Sequence, residues 1–268
     1  MRLIQQLLNR NDCYRAGKPL KAGGVMWHST AADNPNLSRY VPGNVVIGRN
    51  TMGNHWDQSN AEWKAKFGVP LNKCVHAFIG LLADGSVATV QTLPWDMRGW
   101  HAGNGDGNDR YIGFEICEDG LDDPDYFAAV YREAVALTAM LCQLHGWDPM
   151  DDGVVICHAE GYRLGVASNH GDVLHWFKIY GKTMDDVRSD VARILNGEED
   201  DDVARYNTVA EIKKAASWAL PTIRKMIDKG FISGGGKKDA NGDPADMDLS
   251  MDMIRIFVTN NKVGLYGN

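Results

Sequence analysis

The chain has 268 residues, 44% apolar and 24% charged, with a formal net charge of −7. That length holds one sizeable domain and a small second one, and the acidic balance argues against nucleic-acid binding, which needs a basic surface. No uninterrupted apolar run reads as a membrane span, and five scattered cysteines without Cys-x-x-Cys spacing point to free thiols in a reducing compartment.

The opening "MRLIQQLLNRND" is broken by polar residues before an apolar signal core can form, so no secretory signal is expected. "GGVMWHST" reads as a short buried strand that turns polar at its end. Residues 35–71 are rich in Asn, Gly and single aromatics without steady periodicity, and such a segment is expected to wall a groove. "VHAFIGLLADGSVATVQTL" reads as two strands joined at Asp84-Gly85, a strong hairpin signal. "YIGFEICE" and "GVVICHAE" are further buried strands. Between them lies a helix capped by Asp123, with Pro124 in its first turn and Gly146 at its end. Its apolar stripe is Val130, Ala134, Leu137, Leu141 and Leu144. "TMDDVRSDVARIL" is another helix, capped at Thr183. This order predicts an α/β fold, a mixed central β-sheet flanked by helices.

"NGEEDDDVARYNT" marks a boundary, because like charges in a block repel and stay solvated. The reading is a domain over 1–197, an acidic linker over 198–204, and a small helical module over 205–268. The module reads as helix, glycine-rich loop, helix, with 10 basic and 7 acidic residues from position 203 onward.

His28 and His158 each end a predicted strand, and residues at the same end of neighbouring strands can converge. Two neutral imidazoles and one carboxylate leave zinc a fourth position for water. Glu115 is an acid in an otherwise apolar strand, which must face something polar. Taken singly, each has a plain structural explanation: a packed histidine, or a carboxylate paired with an arginine.

Four stretches together change that balance. "MWHSTAADNPNLSRY", "CVHAFIGLLADGSVATVQTLPWDMRGWHAG", "YIGFEICED" and "ICHAEGYRLGVASNHGDVLHW" resemble the zinc-dependent N-acetylmuramoyl-L-alanine amidases of the peptidoglycan-recognition-protein (amidase type 2) family, over roughly residues 20–180. The likeness is greatest to endolysins of phages and prophages. It implies a peptidoglycan-recognition-protein-like fold and hydrolysis of the amide joining N-acetylmuramic acid to L-alanine. It matches His28 and His158 to zinc-binding histidines and Glu115 to the carboxylate that activates water. Trp100, His101 and His76 are placed on the substrate side, the two histidines as groove or structural residues. The family's Lys-x-Asp is met by His170-Gly171-Asp172, giving Asp172 as third ligand and His170 as oxyanion donor. Asn169 and His170 stay open as alternative ligands, and Glu160 and His175 as groups supporting the site.

"ASWALPTIRKMIDKGFISG" followed by "MDLSMDMIRIFV" resembles a single S-layer-homology repeat. That likeness implies binding of a secondary cell-wall polymer, or a homo-oligomer through the C-terminal module. The expected partner is bacterial peptidoglycan, with no nucleic acid and no membrane. The expected setting is a protein made in the cytoplasm that reaches the wall after holin-dependent release. Rival readings are a wall-binding protein with a degenerate site, a metal-dependent nuclease and a host autolysin.

Overall fold

The computed structural model describes residues 1–198 and 205–262. Most of the acidic run read as a linker, residues 199–204, lies outside the described residues. The chain divides into two compact units, Met1–Glu198 and Glu199–Asn268.

The first unit runs β1 (Leu3–Gln5), α1 (Asp12–Ala16), β2 (Gly24–Asp33), α2 (Asn60–Phe67), β3 (Ala77–Leu81), β4 (Val87–Gln91), α3 (Gly105–Arg110) and β5 (Tyr111–Glu118). It continues through α4 (Pro124–His145), β6 (Val155–Cys157), α5 (His158–Arg163), α6 (Leu174–Ile179) and α7 (Met184–Leu195). The strands form one mixed sheet in the order β1-β4-β3-β5-β2-β6. The hairpin of β3 and β4 is antiparallel, and the other neighbouring pairs are parallel. Strands β3, β5, β2 and β6 therefore present their C-terminal ends at one edge, where ligands of such sheets bind.

Alternation along the strands separates two faces. Val25, Trp27, Ile112, Phe114, Ile116 and Val155 join the apolar side chains of α4, α6 and α7 in one core. Full burial of such a side chain contributes about 1.5–3 kcal/mol. Helix α4 starts where Asp123 accepts from the Asp125 and Tyr126 amides, with Pro124 in its first turn, and ends at Gly146 with φ +68°. By length and composition α4 could cross a bilayer, but its stripe packs on the sheet. Leu144 departs from the expected stripe: it is exposed, because no residue of α4 beyond Cys142 is buried.

The opposite face carries Met26, His28, Phe78, Tyr111, Gly113 and Glu115. Over part of it the irregular segment packs Leu37, Tyr40, Ile47, Trp56 and Leu71 against Phe78 and Val90. Asparagine side chains hold this segment: Asn44 accepts from the Val46 and Ile47 amides, and Asn50 from those of Met52 and Gly53. Within it lies α2, unforeseen in the sequence reading, with a capping box between Ser59 and Glu62.

The second unit has β7 (Arg205–Tyr206), α8 (Val209–Ala215), α9 (Leu220–Asp228), β8 (Leu249–Ser250) and α10 (Met251–Lys262). Val209, Ile212, Ile223, Met226, Leu249 and Ile254 form its core. Its first predicted helix is two helices, because Pro221 starts α9 and lacks the amide that a continuous helix needs. An antiparallel pairing of β7 with β8 adds two short strands to a module read as purely helical.

Candidate metal centre

Register builds the site. His28 of β2 pairs with Glu115 of β5, so both side chains leave the same face of the sheet. Trp27 pairs with Cys157, which places His158 beside His28 at the start of α5. The turn into α5 is fastened from α7, where Arg188 grips both oxygens of Glu160 at 2.7 Å and donates to the Val155 carbonyl at 3.0 Å. Asp172 arrives on the loop beyond α5. Its carbonyl accepts from the Ala159 amide at 3.4 Å, and the next residue, Val173, is fully buried in the helix-side core.

His28 Nδ1, His158 Nδ1 and Asp172 Oδ2 form a close triangle with edges of 3.0, 3.2 and 3.5 Å. Neighbouring ligands of a tetrahedral zinc with bonds of 2.0–2.1 Å stand about 3.3 Å apart, so the triangle fits that ion. Two imidazoles and a carboxylate also suit it chemically. Among the described residues this is the cluster of histidine, cysteine and acid side chains that can hold a metal. His170 lies outside it.

The electrostatics agree with a site built for a cation. Burial works against ionisation of Asp172, yet the neighbouring imidazoles of His158 and His28 outweigh it and hold the carboxyl far below its usual range. Burial pushes His28 toward its neutral form, with Asp172 opposing. Glu115 has its carboxyl driven well up, by burial first and then by the charge of Asp172. Its Oε2 is buried with no hydrogen-bond partner.

These groups line a cavity of 270 Å³ that also takes in His101, Ser168, His170, Trp56, Lys73 and Trp100. Trp100 is half exposed and its ring lies 5.8 Å from the Arg98 guanidinium. His170 is exposed, and its Nδ1 lies 2.9 Å from Ser168 Oγ. Ser168 links it to the metal cluster, since the same oxygen lies 3.2 Å from His158 Nε2. Gly103 makes room for that hydroxyl: a Cβ there would lie 2.3 Å from it. Ser168 and Lys73 went unnoticed in the sequence reading, and their local sequence carries no signal that would single them out, whereas Trp56 belongs to the segment expected to wall a groove.

Four further residues named from the sequence have the following surroundings. His76, held as a groove or structural residue, is wholly buried. Its Nε2 donates to the Met97 carbonyl at 2.8 Å and its Nδ1 accepts from the Gly113 amide at 3.1 Å, so it is a brace beneath the site. His101 lines the cavity, but both of its ring nitrogens are engaged within the protein, by His28 and by the Tyr111 carbonyl. Glu160 is turned toward Arg188, away from the cluster. His175 lies against Glu118, with 3.1 Å between Nε2 and Oε1.

A family model described as N-acetylmuramoyl-L-alanine amidase matches residues 18–173. Solved structures similar to the chain include the Staphylococcus aureus hydrolase AmiA in complex with its ligand, at 20% identity and TM-score 0.49, covering 74% of this chain and 86% of that one. The PlyG catalytic domain matches at 17% identity and TM-score 0.47, covering 76% and 99%. A mutant endolysin from Bacillus subtilis matches at 20% identity and TM-score 0.42, covering 71% and 99%. No curated protein sequence matches.

Proposed function

The chain belongs to the N-acetylmuramoyl-L-alanine amidase family, and from that we propose that its first unit is a zinc-dependent hydrolase of the amide between the lactyl carbonyl of N-acetylmuramic acid and L-alanine in peptidoglycan. The observation that carries the reading is the triangle of His28, His158 and Asp172 sharing one cavity with the unpartnered carboxyl of Glu115. When bound there, zinc supplies Lewis-acid polarisation of the scissile carbonyl and a lowered pKa for water.

The chain's own residues do the rest. Glu115 takes the proton of the attacking water on its carboxylate and passes it to the departing alanine nitrogen. A site holding a divalent cation opposes the charge of Asp172, which brings Glu115 back toward its ionised, proton-accepting form. To His170 we assign donation to the oxygen that becomes negative as the carbonyl turns tetrahedral. Trp100 offers a flat apolar wall to the glycan or stem peptide. A binding-only reading loses on the same observation, since all three donors and the carboxylate are present.

The biological setting we put forward is lysis by a phage or prophage endolysin released through a holin. To the second unit we assign cell-wall-polymer binding of the S-layer-homology kind, or self-association. Pull-down of that unit on purified walls, beside its sedimentation behaviour, separates those two roles.

The test of the activity is digestion of purified sacculi, with and without chelator, counting new N-terminal alanine and new reducing sugar ends. Chelator-sensitive alanine amines without reducing ends are expected. Zinc-loaded protein that releases neither product refutes the amidase.

A further inference from the structure

We propose that His101 is a positioning residue that fixes the tautomer of His28, presenting a bare Nδ1 to the metal cluster, and that Gly113 is the space that allows it. The inference rests on the metal-site reading above. It starts from a carbonyl oxygen, which can only accept. His101 Nε2 lies 3.1 Å from the Tyr111 carbonyl oxygen, so this nitrogen carries the ring's proton. A neutral imidazole has one N–H, so His101 Nδ1 is an acceptor.

That acceptor lies 3.0 Å from His28 Nε2, which must therefore carry the proton of His28. The remaining nitrogen of His28, Nδ1, is left with its lone pair facing Asp172 Oδ2 at 3.2 Å and His158 Nδ1 at 3.0 Å. A backbone carbonyl thus sets the donor state of a metal-facing atom through two rings, the kind of outer support that orients metal-binding histidines.

The packing makes the relay specific. The His101 ring lies directly over the Cα of Gly113, where a Cβ would approach its Nδ1, Cε1 and Cγ to 2.4–2.5 Å. From behind, His76 holds the Gly113 amide at 3.1 Å. Asn108, buried on α3, accepts from the amides of His101 and Ala102 at 2.8 and 2.9 Å, fixing the loop that carries the ring. None of these contacts faces substrate, which is why His101 is assigned to positioning.

The experiment reads the tautomer directly. Metal-free protein labelled with ¹⁵N-histidine is examined by long-range ¹H–¹⁵N correlation, and zinc affinity is measured by competition with a chromogenic chelator. Wild type is expected to show His28 as the Nε2–H form. His101→Leu should mix the two tautomers and weaken zinc binding about 10–100-fold. His101→Gln, which offers one acceptor and one donor, should recover much of both. Gly113→Ala, with His101 present but displaced, should move both readouts in the direction of His101→Leu. A wild-type His28 found as the Nδ1–H form overturns the proposal without any variant. So does a His101→Leu protein with unchanged tautomer and zinc affinity. Neither readout uses peptidoglycan, so failure of the amidase reading on sacculi is a separate result.

Discussion

The two faces of the sheet share their strands but differ in what their side chains do. The face under α4, α6 and α7 is apolar, built from Trp27, Phe114, Ile116 and their helical partners. The other face, beyond the cover of the irregular segment, turns polar, and there His28, Glu115 and the neighbouring His158 meet Asp172. The first face holds the strands in register. The second uses that register to bring His28, His158 and Asp172 together beside Glu115 in one cavity. Changes on the apolar face should therefore cost stability, and changes on the polar face should cost chemistry.

Glu115→Gln gives the largest expected effect. It should lower kcat by about 10²–10⁴-fold while leaving zinc content intact. Because Glu115 is buried with an unpartnered oxygen, thermal unfolding of the metal-free variant should be no easier than that of wild type. A large loss of stability would erase the contrast between the faces. Leu137→Ala is the reciprocal test. It empties a fully buried position on α4 and should cost about 2–5 kcal/mol in urea unfolding, with kcat per folded molecule unchanged.

His170→Ala should reduce kcat by about 10²–10³-fold with little change in zinc affinity, as loss of a single oxyanion donor does. A matching drop in zinc affinity would move His170 into the metal-binding set.

His76 sharpens the comparison through pH. Burial holds its pKa down at about 4 in the fold against an ordinary 6.5. As pH falls, the unfolded chain takes up this proton first. The stability from keeping His76 neutral is therefore complete above pH 6.5 and is lost toward pH 4, in total by about 3 kcal/mol. Burial lowers His28 and His101 in the same direction, so the informative quantity is a difference of slopes. His76→Gln should flatten the fall in urea midpoint across that window, and an unchanged slope would remove His76 from the account.

The sequence was most legible where one physical rule dominates. Helix α4 could be read from its period, Asp123 and Gly146, and β5 from an apolar run interrupted by Glu115. Strand β1 is three residues long, too short for alternation to register, and α2 was obscured by its irregular surroundings although Ser59 and Glu62 carry a capping pattern. At the site, His28 and Glu115 were legible because a polar group in a buried strand is conspicuous, although β2 runs on past His28 to Asp33 rather than ending there. The roles of His101, Glu160 and His175 were not, because each depends on a partner distant in sequence: Gly113 and Tyr111, Arg188, and Glu118. Periodicity cannot report a contact between a loop ring and the bare Cα of a strand glycine.

The most direct test of the central claim is zinc stoichiometry in metal-stripped protein titrated with zinc, comparing wild type with Asp172→Ala and Asn169→Ala. The account predicts one tightly held zinc per chain in wild type and in Asn169→Ala, and its loss in Asp172→Ala. Tight binding that survives Asp172→Ala and fails in Asn169→Ala would contradict it.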